Sequence, residues 1–265
     1  MLLGRLAVLL ASGSIVLMSS IVHLHAAAEP EIGTTVAVKN QVIVEFEENK
    51  RRLQKGGKVH QNEVVETAKS ATAEIQLLDD TKLAVGPSAR VVLDKFVYNA
   101  SATPGAITVN LSKGAFRFIS GSSPSGNYEI RTPTASMGVR GTVFDVFVAA
   151  NGETAVLLHE GAVDVCAEAN TCRRHNTVGR VVHVSLQRLV SLPLPWDGSF
   201  MRGIAVGTAF PFIGRTLAID PVRRLRQADI LAPVDRATRA VTKPVEDITK
   251  VPRNLQRALP IRPPF

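Results

Sequence analysis

The chain has 265 residues, and its acids, bases and nucleophiles set what chemistry it could attempt. His60, His159, His175 and His183 are scattered through its middle. No serine and aspartate stand around them in an order that would make a nucleophile, a base and an orienting acid. His159 lies beside a turn signal and reads as a surface or core-edge residue. Asp79-Asp80 has the form of a carboxylate pair, but it falls between two apolar runs, where aspartate is a turn residue. No glycine-rich loop follows a strand in the way a phosphate site requires. Cys166 and Cys172 are the only cysteines, six positions apart. In an exported chain that spacing fits a disulfide across a hairpin; a reduced pair is the alternative. Two thiols with His175 nearby do not complete a zinc set. The reading is therefore non-enzymatic, with no catalytic, cofactor-binding or metal-binding residues.

One stretch does combine unusual residues. Arg131 to Val148 joins Thr132-Pro133, a Gly138-x-x-Gly141 bend holding Arg140, and an alternating run from Thr142. Thr132 is held extended by the following proline. Gly138 and Gly141 allow a bend or bulge that a β-branched residue would resist. In the strand that follows, Phe144, Val146 and Val148 share one face, and Val143, Asp145 and Phe147 share the other. Asp145 sits between apolar neighbours, and a buried carboxylate needs donors. Arg140 or the Gly138–Gly141 backbone is the expected donor; a ligand-binding Arg140 is the functional alternative.

The elements around this stretch are short and alternating. Val36 and Val38 are followed by Val42, Val44 and Phe46. Ala73, Ile75 and Leu77 lead through Asp79-Asp80-Thr81 to Leu83 and Val85, a hairpin pattern. Turn signals recur at Gly56-Gly57, Gly86-Pro87, Lys113-Gly114, Asn151-Gly152 and Glu160-Gly161. Residues 47–55 read as a charged hairpin or solvated edge. No long amphipathic helix stands out. The fold class is all-β: an antiparallel β-roll or sandwich, or a short β-solenoid of many short strands, over residues 33–192.

The ends differ from the middle. Residues 1–28 carry one arginine, an apolar run and Ala26-Ala27-Ala28, the layout of a cleaved signal peptide. An uncleaved anchor is the competing reading, since the run approaches spanning length. Residues 29–192 hold 18 Lys/Arg against 17 Asp/Glu, whereas residues 193–265 hold 12 against 6. The basic character thus belongs to the end of the chain. Ten of the fifteen prolines also lie there, so no sheet or long helix is expected across it. The reading is a mostly irregular tail, disordered or in short helical turns.

From Glu63 to Val165 the chain resembles the FecR domain family. The resemblance rests on Glu66-Thr67-Ala68, the Leu77–Leu83 hairpin, Leu111-Ser-Lys-Gly-Ala-Phe116 and Thr132-Pro133-Thr134-Ala135. It continues with Val139-Arg140-Gly141-Thr142-Val143-Phe144-Asp145-Val146 and Leu158-His-Glu-Gly-Ala-Val-Asp-Val165. It implies an extracytoplasmic all-β domain. The name-giving protein relays a signal from an outer-membrane transporter to a sigma factor through a cytoplasmic segment ahead of a membrane helix. This chain shows no such segment before its apolar run, so the resemblance points to a stand-alone exported protein. The expected function is a periplasmic binding or signalling module that presents a β-scaffold to a ligand or an envelope protein or glycan. The alternative is a structural envelope protein whose basic tail contacts acidic wall or lipid groups at the membrane surface. Nucleic acid is not an expected partner: the basic segment has little aromatic interleaving.

Overall fold

The structure is a computed structural model that describes residues 29–96, 106–124, 126–168, 171–197, 200–201, 203–222 and 224–231. The expected signal peptide and the chain from residue 232 lie outside the described residues, as does the Arg140 side chain. The strands are β1 (Glu31–Lys39), β2 (Val42–Phe46), β3 (Asn49–Arg52), β4 (Lys58–His60), β5 (Val64–Thr67), β6 (Thr72–Leu77) and β7 (Lys82–Val85). They continue as β8 (Arg90–Phe96), β9 (Ile107–Ile119), β10 (Tyr128–Arg131), β11 (Ser136–Val148), β12 (Thr154–Cys166), β13 (Cys172–His175) and β14 (Val181–Val184). Two single-turn helices follow, α1 (Val206–Ala209) and α2 (Gln227–Leu231).

Among the described residues all fourteen strands join one sheet, and its main path runs β13-β12-β11-β10-β9-β7-β6-β1-β4. The all-β expectation holds. The pairing is antiparallel except for β10, which runs parallel to β9. The sheet curls because β9 changes partners along its length. Its first half pairs with β8 and β10, and its second half with β7 and β11.

Alternation explains what the curl encloses. Ala73, Ile75 and Leu77 of β6 point inward with Leu83 and Val85 of β7, as the hairpin pattern predicts. Phe116, Phe118 and Phe144 join them; the Phe118 and Phe144 rings lie 5.5 Å apart. Each such side chain contributes roughly 1.5–3 kcal/mol by leaving water.

Three strands are longer than the expected pattern. β9, β11 and β12 each run for 13 residues. Lys113-Gly114 and Glu160-Gly161, expected as turns, lie inside β9 and β12 and bend them without breaking them. β11 carries a bulge between Arg140 and Val143. Gly141 has φ +56° there, while Gly138 is in ordinary strand conformation with open space around it. The bend therefore belongs to Gly141 alone. Gly161 packs directly across from it: a Cβ on Gly161 would lie 2.3 Å from the Gly141 carbonyl oxygen, closer than side-chain atoms tolerate. At Asn151-Gly152 only the glycine has positive φ. The turn is therefore not the type I′ form suggested by that pair, which needs positive φ at both residues.

The end of the chain changes the picture most. The described residues between 193 and 231, expected as part of an irregular tail beyond the β-domain, belong to the folded body. They do form single helical turns, but they lie across the outer face of the sheet as a strap. Trp196, Met201, Val206, Ala209, Phe210 and Ile230 bury themselves against Ala115, Phe147, Ala155, Leu157 and Val181. Trp196 meets Phe200 and Phe210 edge-on at 5.4 and 5.2 Å. Phe212 and Ile219 cover Ala84 farther along. Backbone bonds tie the strap to itself and to the sheet: Trp196 N–H donates to the Ile230 carbonyl, and Val181 and Leu194 exchange bonds. Prolines prevent a regular element here, but a few aromatic anchors supply enough burial without one.

Candidate functional site

The outer face of the sheet is not uniformly apolar. In the middle of it Arg117 of β9 and Asp145 of β11 stand opposite each other in register. Arg117 Nε donates to Asp145 Oδ1 at 2.7 Å and Nη2 donates to Oδ2 at 3.0 Å, a two-pronged pair. Both side chains are 1% exposed. His159 of β12 joins them on the same face, with Nε2 3.0 Å from Asp145 Oδ2 and 3.1 Å from Arg117 Nη2. Its Nδ1 is buried without a hydrogen-bond partner.

The strap closes this cluster from above. Phe212 places its ring 5.9 Å from the Arg117 guanidinium, within cation–π range. Asp220 reaches Arg117 Nη1 at 3.5 Å. Arg224 donates to both oxygens of Asp220 and extends to Glu160. Beside this chain of charges, Ile219 N–H donates to Glu74 of β6, and Arg180 Nη1 donates to the Asp229 carbonyl.

These contacts set the charges. Burial alone would push the Asp145 carboxyl up, but His159 and Arg117 outweigh it and hold it at about 2. Burial works against charge on Arg117, yet Asp145 and Asp220 raise it above its ordinary value. The arrangement is a buried ion network whose charges are paired, with His159 Nδ1 left over. It offers no path for a substrate to reach Asp145.

The expected donor for Asp145 is thus corrected: Arg117 and His159 hold it. Neighbours along a strand diverge, whereas cross-strand partners face each other. His159, expected at the surface or core edge, is buried in this network. Arg117 was the residue missed. Its signal was a lone cation between Phe116 and Phe118, on the face where Asp145 lacks a counter-charge.

The other motif residues have structural places. Thr132, Pro133, Thr134 and Ala135 form the β10–β11 turn, closed by Thr132 N–H to the Ala135 carbonyl at 2.8 Å. The hydroxyls of Thr132 and Thr134 both meet the Thr154 hydroxyl, at 2.7 and 2.9 Å. Thr142 Oγ1 donates to the Ala162 carbonyl, and Phe144 packs in the inner core. Gly138 pairs with Glu129 and Asp164 across the sheet, and a Cβ on it would meet open space. Asp79 is fully buried, accepts from Thr81 and Tyr128, and stabilises its turn. Cys166 and Cys172 form the disulfide across the β12–β13 pair. Its small loop stabilises by about 2 kcal/mol. Among the described residues no His, Cys, Asp and Glu side chains gather as a metal site, and no helix is long and apolar enough to cross a membrane.

The open concavity lies elsewhere. At one end of the outer face, between the strap and the strand tips, is a groove of about 650 Å³. Its lining includes Pro87, Ala115, Phe147, Val148 and Pro211. Lys69, Lys113 and Arg215 stand around it. None of its lining residues is Asp, Glu, His or Cys.

A curled sheet with bent long strands and a Thr-Pro turn locked onto a neighbouring hairpin defines a β-scaffold class, not a reaction. Residues 63–164 match the family model described as FecR protein. The match runs from just before β5 almost to the end of β12. β1 to β4, β13, β14 and the strap lie outside it, yet the strands share its sheet. No curated protein matches the chain. Two crystal structures of a protein described as a "putative anti-sigma factor" from Parabacteroides distasonis align at 17% identity and a TM-score of 0.38. The alignments cover 48% of this chain and 57% of that one, so the chain spans little more than half of those structures.

Proposed function

We propose that this chain is an exported, non-catalytic FecR-domain module that binds a ligand or envelope partner and takes part in signalling. One observation carries the reading. Arg117, Asp145 and His159 are paired with one another and buried beneath the strap, while the open groove is lined without an acid, histidine or thiol. Such a surface suits recognition. Export is supported by the signal-peptide layout of residues 1–28 and by the Cys166–Cys172 disulfide, a bond kept in oxidising compartments.

The second reading, an envelope protein held by its basic end, draws on charge. Residues 232–265 hold 7 Lys/Arg against 3 Asp/Glu. An anchor of that kind weakens steeply with salt. The experiment is affinity capture from an envelope extract with the full chain and with the chain ended after Leu231, across a salt series. That cut, unlike one at Pro193, leaves the strap in place. A partner held equally by both at high salt supports the scaffold reading. Envelope binding that disappears with residues 232–265, or with salt, supports the anchor. Recovery of the protein in the cytoplasm with both cysteines reduced sinks the export half.

A further inference from the structure

The groove beside the strap has a composition that selects a ligand. Its apolar lining includes Phe147 and Pro211. Lys69, Lys113 and Arg215 surround it from three separate elements: the β5–β6 turn, β9 and the strap. All three side chains are exposed and none makes an ion pair or side-chain hydrogen bond among the described residues. Arg51, Lys58, Arg90 and Arg224 are matched by Glu63, Glu31, Glu66, and Asp220 with Glu160; Lys39, Arg52, Lys55, Lys95 and Arg174 are exposed cations too, but they do not line this groove. Three unmatched cations around one apolar concavity, with no acid lining it, leave a positive field over an apolar surface. Its volume lies in the range of small-molecule sites.

We propose that this groove binds an anionic amphiphile: a single carboxylate or phosphate head among Lys69, Lys113 and Arg215, with a hydrocarbon portion on Phe147 and Pro211. The head would take charge-assisted hydrogen bonds from more than one side. The tail would remove apolar surface from water. The strap supplies one wall, so the site exists only when residues 193–231 are docked. The inference does not depend on where the protein resides or on its signalling role.

The test uses the full chain and calorimetric titration with dodecanoate below its micellar concentration. Dodecyltrimethylammonium, which has the same tail and the opposite charge, is the control. Gly207 lines the groove, and a Cβ there meets nothing within 4 Å. Gly207→Trp therefore starts from a position with open space around its Cβ and adds bulk at the groove lining. The expected result is one saturable site for dodecanoate and none for the cationic control. Gly207→Trp should abolish it with an unchanged melting midpoint. Each of Lys69→Ala, Lys113→Ala and Arg215→Ala should weaken it, by roughly tenfold apiece. Lys113→Glu with Arg215→Glu should reverse the preference between the two amphiphiles. If Gly207→Trp unfolds the chain, the three alanine variants carry the test. Equal binding of both amphiphiles, or undiminished binding in the alanine variants, overturns the proposal. So does attachment to phosphatidylglycerol vesicles with no binding of dodecanoate, which would assign the cations to a membrane surface.

Discussion

The two faces of β11 are buried by different means. On the inner face Phe144, Val146 and Val148 meet the aliphatic side chains of strands near in the sheet. On the outer face Asp145 and Phe147 are covered by residues from Trp196 to Ile230, which come from the far end of the chain. The inner face is closed by alternation alone, and mismatches there cost packing. The outer face is closed by docking, and its middle is charged. Burial is equally complete on both faces, but only the outer one depends on a distant segment arriving in the right place.

Ending the chain at Leu192 should break this contrast most severely. It bares Phe147, Leu157 and Val181 and leaves Arg117 without Asp220 or Phe212. Each large side chain returned to water costs about 1.5–3 kcal/mol. We expect a large fall in the denaturation midpoint and binding of a hydrophobic dye, whereas ending at Leu231 should leave both unchanged. An equally stable, dye-silent 1–192 fragment would mean that the strap is ornamental.

Asp145→Ala comes next. It leaves Arg117 and His159 in a sealed interface without their carboxylate, at a cost of roughly 3–5 kcal/mol. Phe144→Ala on the inner face should cost a similar roughly 3–5 kcal/mol, by opening a cavity. Urea titrations of the two variants separate the mechanisms. Replacing Arg117, Asp145 and His159 together by apolar residues should recover much of the first loss, and nothing comparable rescues the second.

Acid separates the regions by pH. Burial holds the His175 imidazole down at about 4, against 6.5 unperturbed. Its neutral form belongs to the folded state, so the unfolded chain takes up the proton first. That contribution, roughly 3 kcal/mol, is complete above pH 6.5 and disappears as pH falls toward 4. Asp145 has the same sign at lower pH. Its carboxyl is held at about 2 against 3.8, so its contribution is complete above that ordinary value and is lost as pH falls toward 2. Stability measured against pH should therefore fall in two stages. His175→Gln should reduce the first, to which His183, also held down by burial, contributes, and leave the second. A single stage below pH 4 in the unmodified protein would contradict the His175 burial.

The smallest effects test the bends. Gly138→Ala should be nearly neutral, since its Cβ meets open space. Gly141→Ala should cost about 1 kcal/mol for the left-handed backbone. Gly161→Ala should exceed both, because its methyl meets the Gly141 carbonyl. Thermal midpoints in the order Gly138, Gly141, Gly161 are expected; a reversed order would remove the bend from the double-glycine contact.

Much of the inner face was legible in the sequence. Ala73, Ile75, Leu77, Leu83 and Val85 alternate as their hairpin requires, and the motif residues named a domain. The long strands were less legible, because Gly114 and Gly161 act locally like punctuation although pairing carries β9 and β12 through them. Asp145 announced that it needed a donor, but its donor depended on which strands pair, a property of separations near thirty residues. The strap was hidden by its prolines. A handful of aromatics among irregular residues has no period to detect, and only the sheet beneath shows what they fit.

The separation between Arg117 and Asp220 is 103 residues. A chain is made from its N-terminus onward, so the outer face is complete before its cover exists. During that interval a wholly aliphatic surface would be an adhesive for neighbouring nascent chains. Arg117, Asp145 and His159 make the middle of the outer face polar, and Phe212 and Asp220 meet Arg117 there. The charge cluster thereby marks the place on the sheet where a segment from far along the chain docks.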